Sequence, residues 1–131
     1  MNGFEYFKLS LSRYSDFEGR SRRSEYWYFS LFYVVSMVLV SSFFGRFGIF
    51  LMMFICLLGF IPSLAVTIRR LHDIGKSGWY YLITFIPLIG TILVLVWMCT
   101  DSEPGGNEWG PNPKEVHEEV FDHLIDDDSL V

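Results

Sequence analysis

The sequence predicts an all-α membrane protein: three transmembrane helices with a tight helical hairpin between the first two, a short N-terminal amphipathic helix and a short acidic C-terminal helix. Three observations carry this. Tyr26 to Phe44, Phe47 to Ile68 and Trp79 to Thr100 are apolar stretches of 19, 22 and 22 residues without an Asp, Glu, Lys, Arg or His. At about 1.5 Å per helical residue each matches a hydrocarbon core of about 30 Å. A chain that is 51% hydrophobic and 18% aromatic is also too apolar for a soluble domain of 131 residues.

The elements follow in order. Phe4, Phe7, Leu11 and Tyr14 recur at helical spacing, and Asn2 with Glu5 has capping-box spacing, so the first helix is amphipathic. With Lys8 and Arg13 it suits either the membrane surface or the protein's own cytoplasmic loop. Residues 1–25 thus form a cytoplasmic amphipathic and basic segment, with no signal-peptide pattern and no lipidation motif. Residues 26–100 form the bundle, in which the two-residue link Gly45-Arg46 forces an antiparallel hairpin. Gly59, Ser63 and Thr67 give the second helix a small face for a neighbour's backbone. Pro62 is expected to bend that helix. Pro87 frees the carbonyl of Ile83, which needs another partner or a kink. Residues 101–131 form an acidic extramembrane tail: a turn-rich loop, then a helix capped by Asn112, Pro113 and Glu115 with an apolar stripe of Val116, Val120, Leu124 and Ile125.

The net charge of −5 conceals segregation. Five of the ten Lys and Arg precede the first span, three more (Arg69, Arg70, Lys76) lie between the second and third, and ten of the fifteen acids lie beyond Thr100. The positive-inside rule therefore puts the N-terminus and the Arg69–Gly78 loop in the cytoplasm. Three crossings then put the tail in the periplasm. The triplets Tyr26-Trp27-Tyr28 and Trp79-Tyr80-Tyr81 mark the inner interface, and Phe43, Phe44, Phe47 and Trp97 the outer one. Cys56 and Cys99 sit at different depths and read as packing residues rather than a disulfide.

Two blocks stand out: Phe17-Glu18-Gly19-Arg20-Ser21-Arg22-Arg23-Ser24-Glu25-Tyr26-Trp27 and Arg69-Arg70-Leu71-His72-Asp73-Ile74-Gly75-Lys76-Ser77-Gly78-Trp79. With Ile61-Pro62-Ser63-Leu64-Ala65, Ile86-Pro87-Leu88-Ile89-Gly90 and the Pro104–Pro113 segment, the chain resembles the small bacterial inner-membrane proteins grouped as domain of unknown function 805, the YhaH-like proteins. The resemblance runs from about Phe17 to Pro113 and implies a multi-helix inner-membrane protein without implying a chemistry. The acidic helix after Pro113 lies outside it.

The two blocks meet at the cytoplasmic interface and nominate Arg20, Arg22, Arg23, Glu25, Arg69, Arg70, His72, Asp73 and Lys76 as one cluster. One reading is a topology determinant with an inter-loop ion-pair lock. The other is a site for an anionic phospholipid headgroup or a phosphorylated ligand, with Arg69, Arg70 and Lys76 at a helix C-terminus. No catalytic, cofactor or metal residue is expected. His72 beside Asp73 hints at acid/base chemistry, but neighbours on a helix diverge and no nucleophile accompanies them. Gly75-Lys76-Ser77 is not a phosphate loop, because Arg70 stands where that motif needs glycine. Asp101, Glu103 and Glu108 lack calcium-loop spacing, and Glu119, Asp122, His123 and Asp126 describe ordinary acidic surface better than a metal site.

Uncharged spans exclude proton relays and voltage sensing. The expected function is a non-enzymatic accessory, interaction or lipid-contacting component, partnered by the bilayer and by a membrane protein or a second copy, with no nucleic acid. The alternative is a subunit of an oligomeric transporter or channel, with Thr84, Pro87, Thr91 and the Gly59 face lining a path.

Overall fold

The computed structural model describes residues 2–116 and Glu119. Among these there is no strand; four α-helices and one 3₁₀ helix follow in the order α1 (Gly3–Ser12), α2 (Arg23–Phe43), α3 (Gly45–Asp73), the 3₁₀ helix (Gly78–Phe85) and α4 (Ile89–Cys99). The amphipathic first helix forms with its capping box intact: the Glu5 N–H donates to Asn2 Oδ1 at 2.9 Å, and the Asn2 N–H to Glu5 Oε2 at 3.0 Å. It lies antiparallel on the first turns of α2, with Phe4 against Phe32, Phe7 against Phe29 and Ser10 at Glu25. This segment docks on the protein itself.

The hairpin is tighter than the Gly45-Arg46 link expected. Phe44 ends α2 and Gly45 already begins α3, at φ +55°, a left-handed conformation that glycine adopts without a Cβ penalty. α2 and α3 are long and apolar enough to cross a membrane, and only 6% and 17% of their most apolar stretches are buried inside the protein. A core helix of a soluble protein would show the reverse. Their mutual packing uses the small face of α3, where the Tyr33 ring of α2 lies against Gly59 so closely that a Cβ there would overlap it. Thr67 turns its hydroxyl back to the Ser63 carbonyl at 2.8 Å.

At about 1.5 Å per residue, the 29 residues of α3 run about 43 Å, well beyond a hydrocarbon core of about 30 Å. Its last turns, which carry Arg69, Arg70 and Asp73, therefore extend past the apolar stretch as helix rather than as the expected loop.

The single helix expected over Trp79–Thr100 does not form. The chain runs inward as the 3₁₀ helix Gly78–Phe85, breaks at Ile86-Pro87-Leu88, and runs back as α4. Pro87 supplies no N–H, and Leu88 takes φ +66°, which reverses the chain. The carbonyl of Ile83, freed by the proline, accepts the Ile86 N–H at 3.0 Å. Eight residues at about 2 Å each and eleven at about 1.5 Å each give limbs of about 16 Å, half the depth of a bilayer core.

The return is fixed by contacts at the entry end. Trp27 Nε1 donates to the Met98 carbonyl at 3.0 Å, Arg23 Nη1 to the Cys99 carbonyl at 3.1 Å, and Trp97 meets Tyr80 edge-on at 5.8 Å. Trp97 thus joins the Tyr26-Trp27-Tyr28 and Trp79-Tyr80-Tyr81 end instead of the far one. For the same reason the Asp101–Pro113 segment lies at the end of the molecule that holds Arg20 and Asp73, not at the opposite end that three crossings would require.

That segment is ordered. Asn107 and Gly110 exchange backbone hydrogen bonds at 2.9 and 3.1 Å in a tight turn, and the Lys114 N–H donates to Asn112 Oδ1 at 3.0 Å to start the next helix. Val120, Leu124 and Ile125 of its expected stripe lie outside the described residues, as do Asp122, His123 and Asp126. Both cysteines are free thiols.

Candidate functional site

The molecule is inverted relative to a soluble domain. Arg69, Arg70, Leu71, Met98 and Glu25 head its fully buried side chains, while Phe50, Leu57, Phe85 and Leu88 stand 70% or more exposed. Burying an ionised side chain is costly unless it is paired and hydrogen-bonded, and at the α2 N-terminus and α3 C-terminus that condition is met in two linked centres.

Glu25 anchors the first, where Arg69 Nη2 donates to its Oε1 at 3.1 Å, Ser10 Oγ donates to the same oxygen at 3.1 Å, and Arg13 stands 3.7 Å from Oε2. The remaining Arg69 donors reach Ser21 Oγ at 2.8 Å and the carbonyls of Arg13 and Asp16 at 2.6 and 2.9 Å. Ser21 returns its N–H to the Arg69 carbonyl at 3.1 Å. Glu25 in the first turn of α2 and Arg69 near the end of α3 also oppose the partial charges of their own helix ends.

Asp73 anchors the second. It accepts from Arg70 Nη1 at 2.8 Å, Arg20 Nε at 3.2 Å and Ser102 Oγ at 2.6 Å. Arg20 spreads its other donors over the carbonyls of Asp73 (3.1 Å), Glu103 (2.9 Å), Gly105 (2.9 Å) and Gly110 (3.2 Å), so one guanidinium holds the C-terminal loop on the end of α3. The Glu103 N–H adds a bond to the Asp73 carbonyl at 2.8 Å. Arg70 Nη2 reaches the Met98 carbonyl at 3.4 Å, and among the described residues Arg70 Nε is the one buried side-chain polar atom without a partner.

Of the nine nominated residues, Arg20, Glu25, Arg69, Arg70 and Asp73 share this network. His72 sits on its rim: Nδ1–H donates to the Gly19 carbonyl at 3.0 Å, and the ring stacks on Trp109 with centroids 4.5 Å apart and planes 4° from parallel. Arg23 is tied to the end of α4. Arg22 lies over the Tyr6 ring, and Lys76 over Tyr80 and Trp97 at 5.3 and 5.0 Å. Arg69 and Arg70 have no exposed surface with which to reach a headgroup phosphate. Nor do His72 and Asp73 form a dyad, since one is bonded to Gly19 and the other to two arginines and a serine.

Sequence reasoning missed Ser10, Arg13, Ser21, Ser102, Asn107 and Trp109. Asn107 Nδ2 donates to the His72 carbonyl at 2.9 Å. Serine and asparagine carry no periodic signal, and these partners lie up to 56 residues from the groups they meet.

Asp16, whose carbonyl Arg69 holds, closes the turn ahead of Arg20 with its carboxylate. Burial acts to raise its carboxyl, but the N–H groups of Glu18 and Gly19 and the Arg13 guanidinium outweigh it and hold it below its ordinary value. Lys114, bonded to Asp101 at 2.8 and 3.0 Å, and the Ser102 N–H lower the Asp101 carboxyl likewise. Among the described residues no group of three or more acids, histidines or cysteines is arranged to hold a metal.

Two relatives from Escherichia coli strain K12 align over most of the chain. The inner membrane protein YhaI is 37% identical over 113 residues, covering 84% of this chain and 96% of its own length. The inner membrane protein YhaH is 37% identical over 117 residues, covering 83% and 95%. No solved structure matches. The family model described as protein of unknown function (DUF805) matches residues 14–111, which contain all but Ser10 and Arg13 of the network just described, and the chain belongs to that family.

Proposed function

We propose that this chain is a small, non-enzymatic component of the bacterial inner membrane, an interaction or lipid-contacting subunit. In this reading it crosses the bilayer twice, through α2 and α3, and dips into it once through residues 78–99. The reading rests on one observation: the buried carboxylates Glu25 and Asp73 are held by arginines and hydroxyls of the same chain, so the ionisable cluster works as a lock. What remains for function is apolar surface and the aromatic interface. Cross-linking and co-purification from the native membrane, with and without residues 114–131, test it; a defined partner lost on truncation supports an interaction subunit. Turnover of any substrate by the purified chain, abolished by His72→Ala with insertion intact, overturns it.

Orientation follows from charge. Nine of ten Lys and Arg, all but Arg46, belong to the segments at the lock end of the molecule, so the lock, α1 and the Asp101–Val116 segment face the cytoplasm. Reporter fusions ahead of Asn2 and after Val116 are expected to be active in the same, cytoplasmic compartment. A periplasmic fusion at 116 restores three crossings.

One observation favours the oligomeric transporter or channel reading. Broken backbone at membrane depth is tolerated where protein or a water-filled cavity covers it, yet Phe85, Ile86 and Leu88 are exposed in the single chain. A mass in mild detergent above that of a monomer, together with flux in liposomes, would select this reading; a monomer without flux would reject it.

A further inference from the structure

Beside the lock, a half-open cavity of about 360 Å³ lies between the end of α3 and the start of the 3₁₀ helix, with Phe17, Ile68 and Leu82 as apolar walls and Trp79 at its mouth. The lining side chains that carry polar atoms are His72, Ser77, Tyr81 and Trp79. The His72 side chain is 6% exposed and fixed on both sides, by the Gly19 carbonyl at Nδ1 and by the Trp109 ring on its face. Because a carbonyl only accepts, Nδ1 carries a proton, and in the neutral ring Nε2 is then the lone-pair nitrogen. Nε2 has no partner among the described residues. It borders Gly78, where an added Cβ would come within 3.8 Å of it and 2.9 Å of Ile68 Cγ2. Ser77 Oγ accepts the Trp79 N–H at 3.4 Å, which leaves its own hydroxyl hydrogen to donate.

From this geometry we infer that the cavity binds the uncharged glycerol hydroxyl end of an acyl-chain lipid, with His72 Nε2 accepting the lipid hydroxyl and Ser77 Oγ donating to a neighbouring lipid oxygen. An oriented acceptor calls for a donor, which a phosphate at neutral pH or a choline headgroup lacks. The cavity wall holds no cation to neutralise a phosphate, because Lys76 is turned onto Tyr80 and Trp97. Trp79, at 79% exposure, and Leu82, at 53%, lead from the mouth to the apolar surface along which acyl chains lie. The hydroxyl has two sources in a membrane, the headgroup glycerol of phosphatidylglycerol and free diacylglycerol.

The inference deepens the membrane reading above and rests on it. The test uses the full chain in phosphatidylcholine nanodiscs doped with a small fraction of dioleoylglycerol in one arm and dioleoylphosphatidylglycerol in the other. Lipid retained through delipidation is counted by native mass spectrometry. One or both hydroxyl lipids are expected to be retained about tenfold over phosphatidylcholine, the equivalent of one good hydrogen bond. His72→Asn keeps a donor for Gly19 and removes the ring acceptor at the Nε2 position, and Leu82→Trp fills the cavity without altering the ring; each should abolish the preference, while Ile92→Trp on α4 preserves it. If His72→Asn does not fold, Leu82→Trp decides. Equal retention of phosphatidylcholine by the wild type, or an undiminished preference in Leu82→Trp, overturns the site. Release of the wild-type chain from native membranes by alkaline carbonate would instead overturn the membrane reading beneath it.

Discussion

Arg69 and Glu25, 44 positions apart in the chain, meet at 3.1 Å with no more than 2% of either side chain exposed. This pair joins the end of one long apolar helix to the start of another. Breaking a buried pair from one side leaves an uncompensated charge, so Glu25→Gln and Arg69→Gln are each expected to cost about 3–5 kcal/mol. The double variant should fall short of their sum by about 1–3 kcal/mol, the signature of direct coupling. Unfolding of all four proteins in one detergent measures the cycle. Additive losses would mean that the two side chains act separately.

Arg20 is the staple of the C-terminal loop, and its geometry distinguishes charge from shape. The guanidinium reaches Asp73 and four backbone carbonyls at once, whereas an ammonium is a point charge on a flexible stem. Arg20→Lys should therefore keep attraction to Asp73 and release Gly105 and Gly110. Limited proteolysis is expected to cut the Glu103–Gly110 segment at least about tenfold faster than in the wild type, for a loss of about 1.4 kcal/mol or more in local stability. Unchanged cleavage would remove Arg20 from this role.

Much of the architecture was legible because it is local. The capping box of Asn2 and Glu5, the hairpin at Gly45 and the small face at Gly59 each depend on neighbours within a few residues or on one apolar stripe. The fate of Trp79–Thr100 was not legible in the same way. Hydropathy scores residues without direction, so two half-length limbs that fold back on each other score like a single crossing. Pro87 signalled a disturbance, but proline is tolerated in membrane helices, and it is the positive φ of Leu88 that turns a kink into a reversal. The site divides likewise. The arginine-rich blocks identified its charges, while Ser21, Ser102 and Trp109, which fix those charges in place, are chosen by distant contacts that no spacing encodes.

The reversal itself makes a prediction at Gly90. This residue opens α4 against the carbonyl of Ile83 in the preceding limb, and an added Cβ would overlap that backbone oxygen. Gly90→Ala must push the two limbs apart, an overpacking change of about 1–3 kcal/mol. A straight crossing helix would instead gain about 1 kcal/mol from the same change, because alanine outranks glycine in a helix interior. The sign of the shift in thermal unfolding distinguishes the two, and stabilisation would refute the re-entrant fold.

Asp16 supplies a test in pH. Its Oδ1 accepts the N–H groups of Glu18 and Gly19 at 3.0 and 3.1 Å, and its carboxyl is held below the ordinary 3.8 when folded. A depressed folded value means that the charged form stabilises the turn. That contribution is complete above the unfolded value and fades as pH falls below 3.8 through the lower folded value. Hydrogen exchange of the Glu18 and Gly19 amides, corrected for intrinsic rates, should show protection that falls away over this acid range while the amides of α3 stay protected. Asp16→Asn keeps an acceptor but carries no titrating charge, so its protection should be lower at neutral pH and flat across the same range. A parallel pH response in that variant would assign the acid sensitivity to another carboxylate of this end of the molecule.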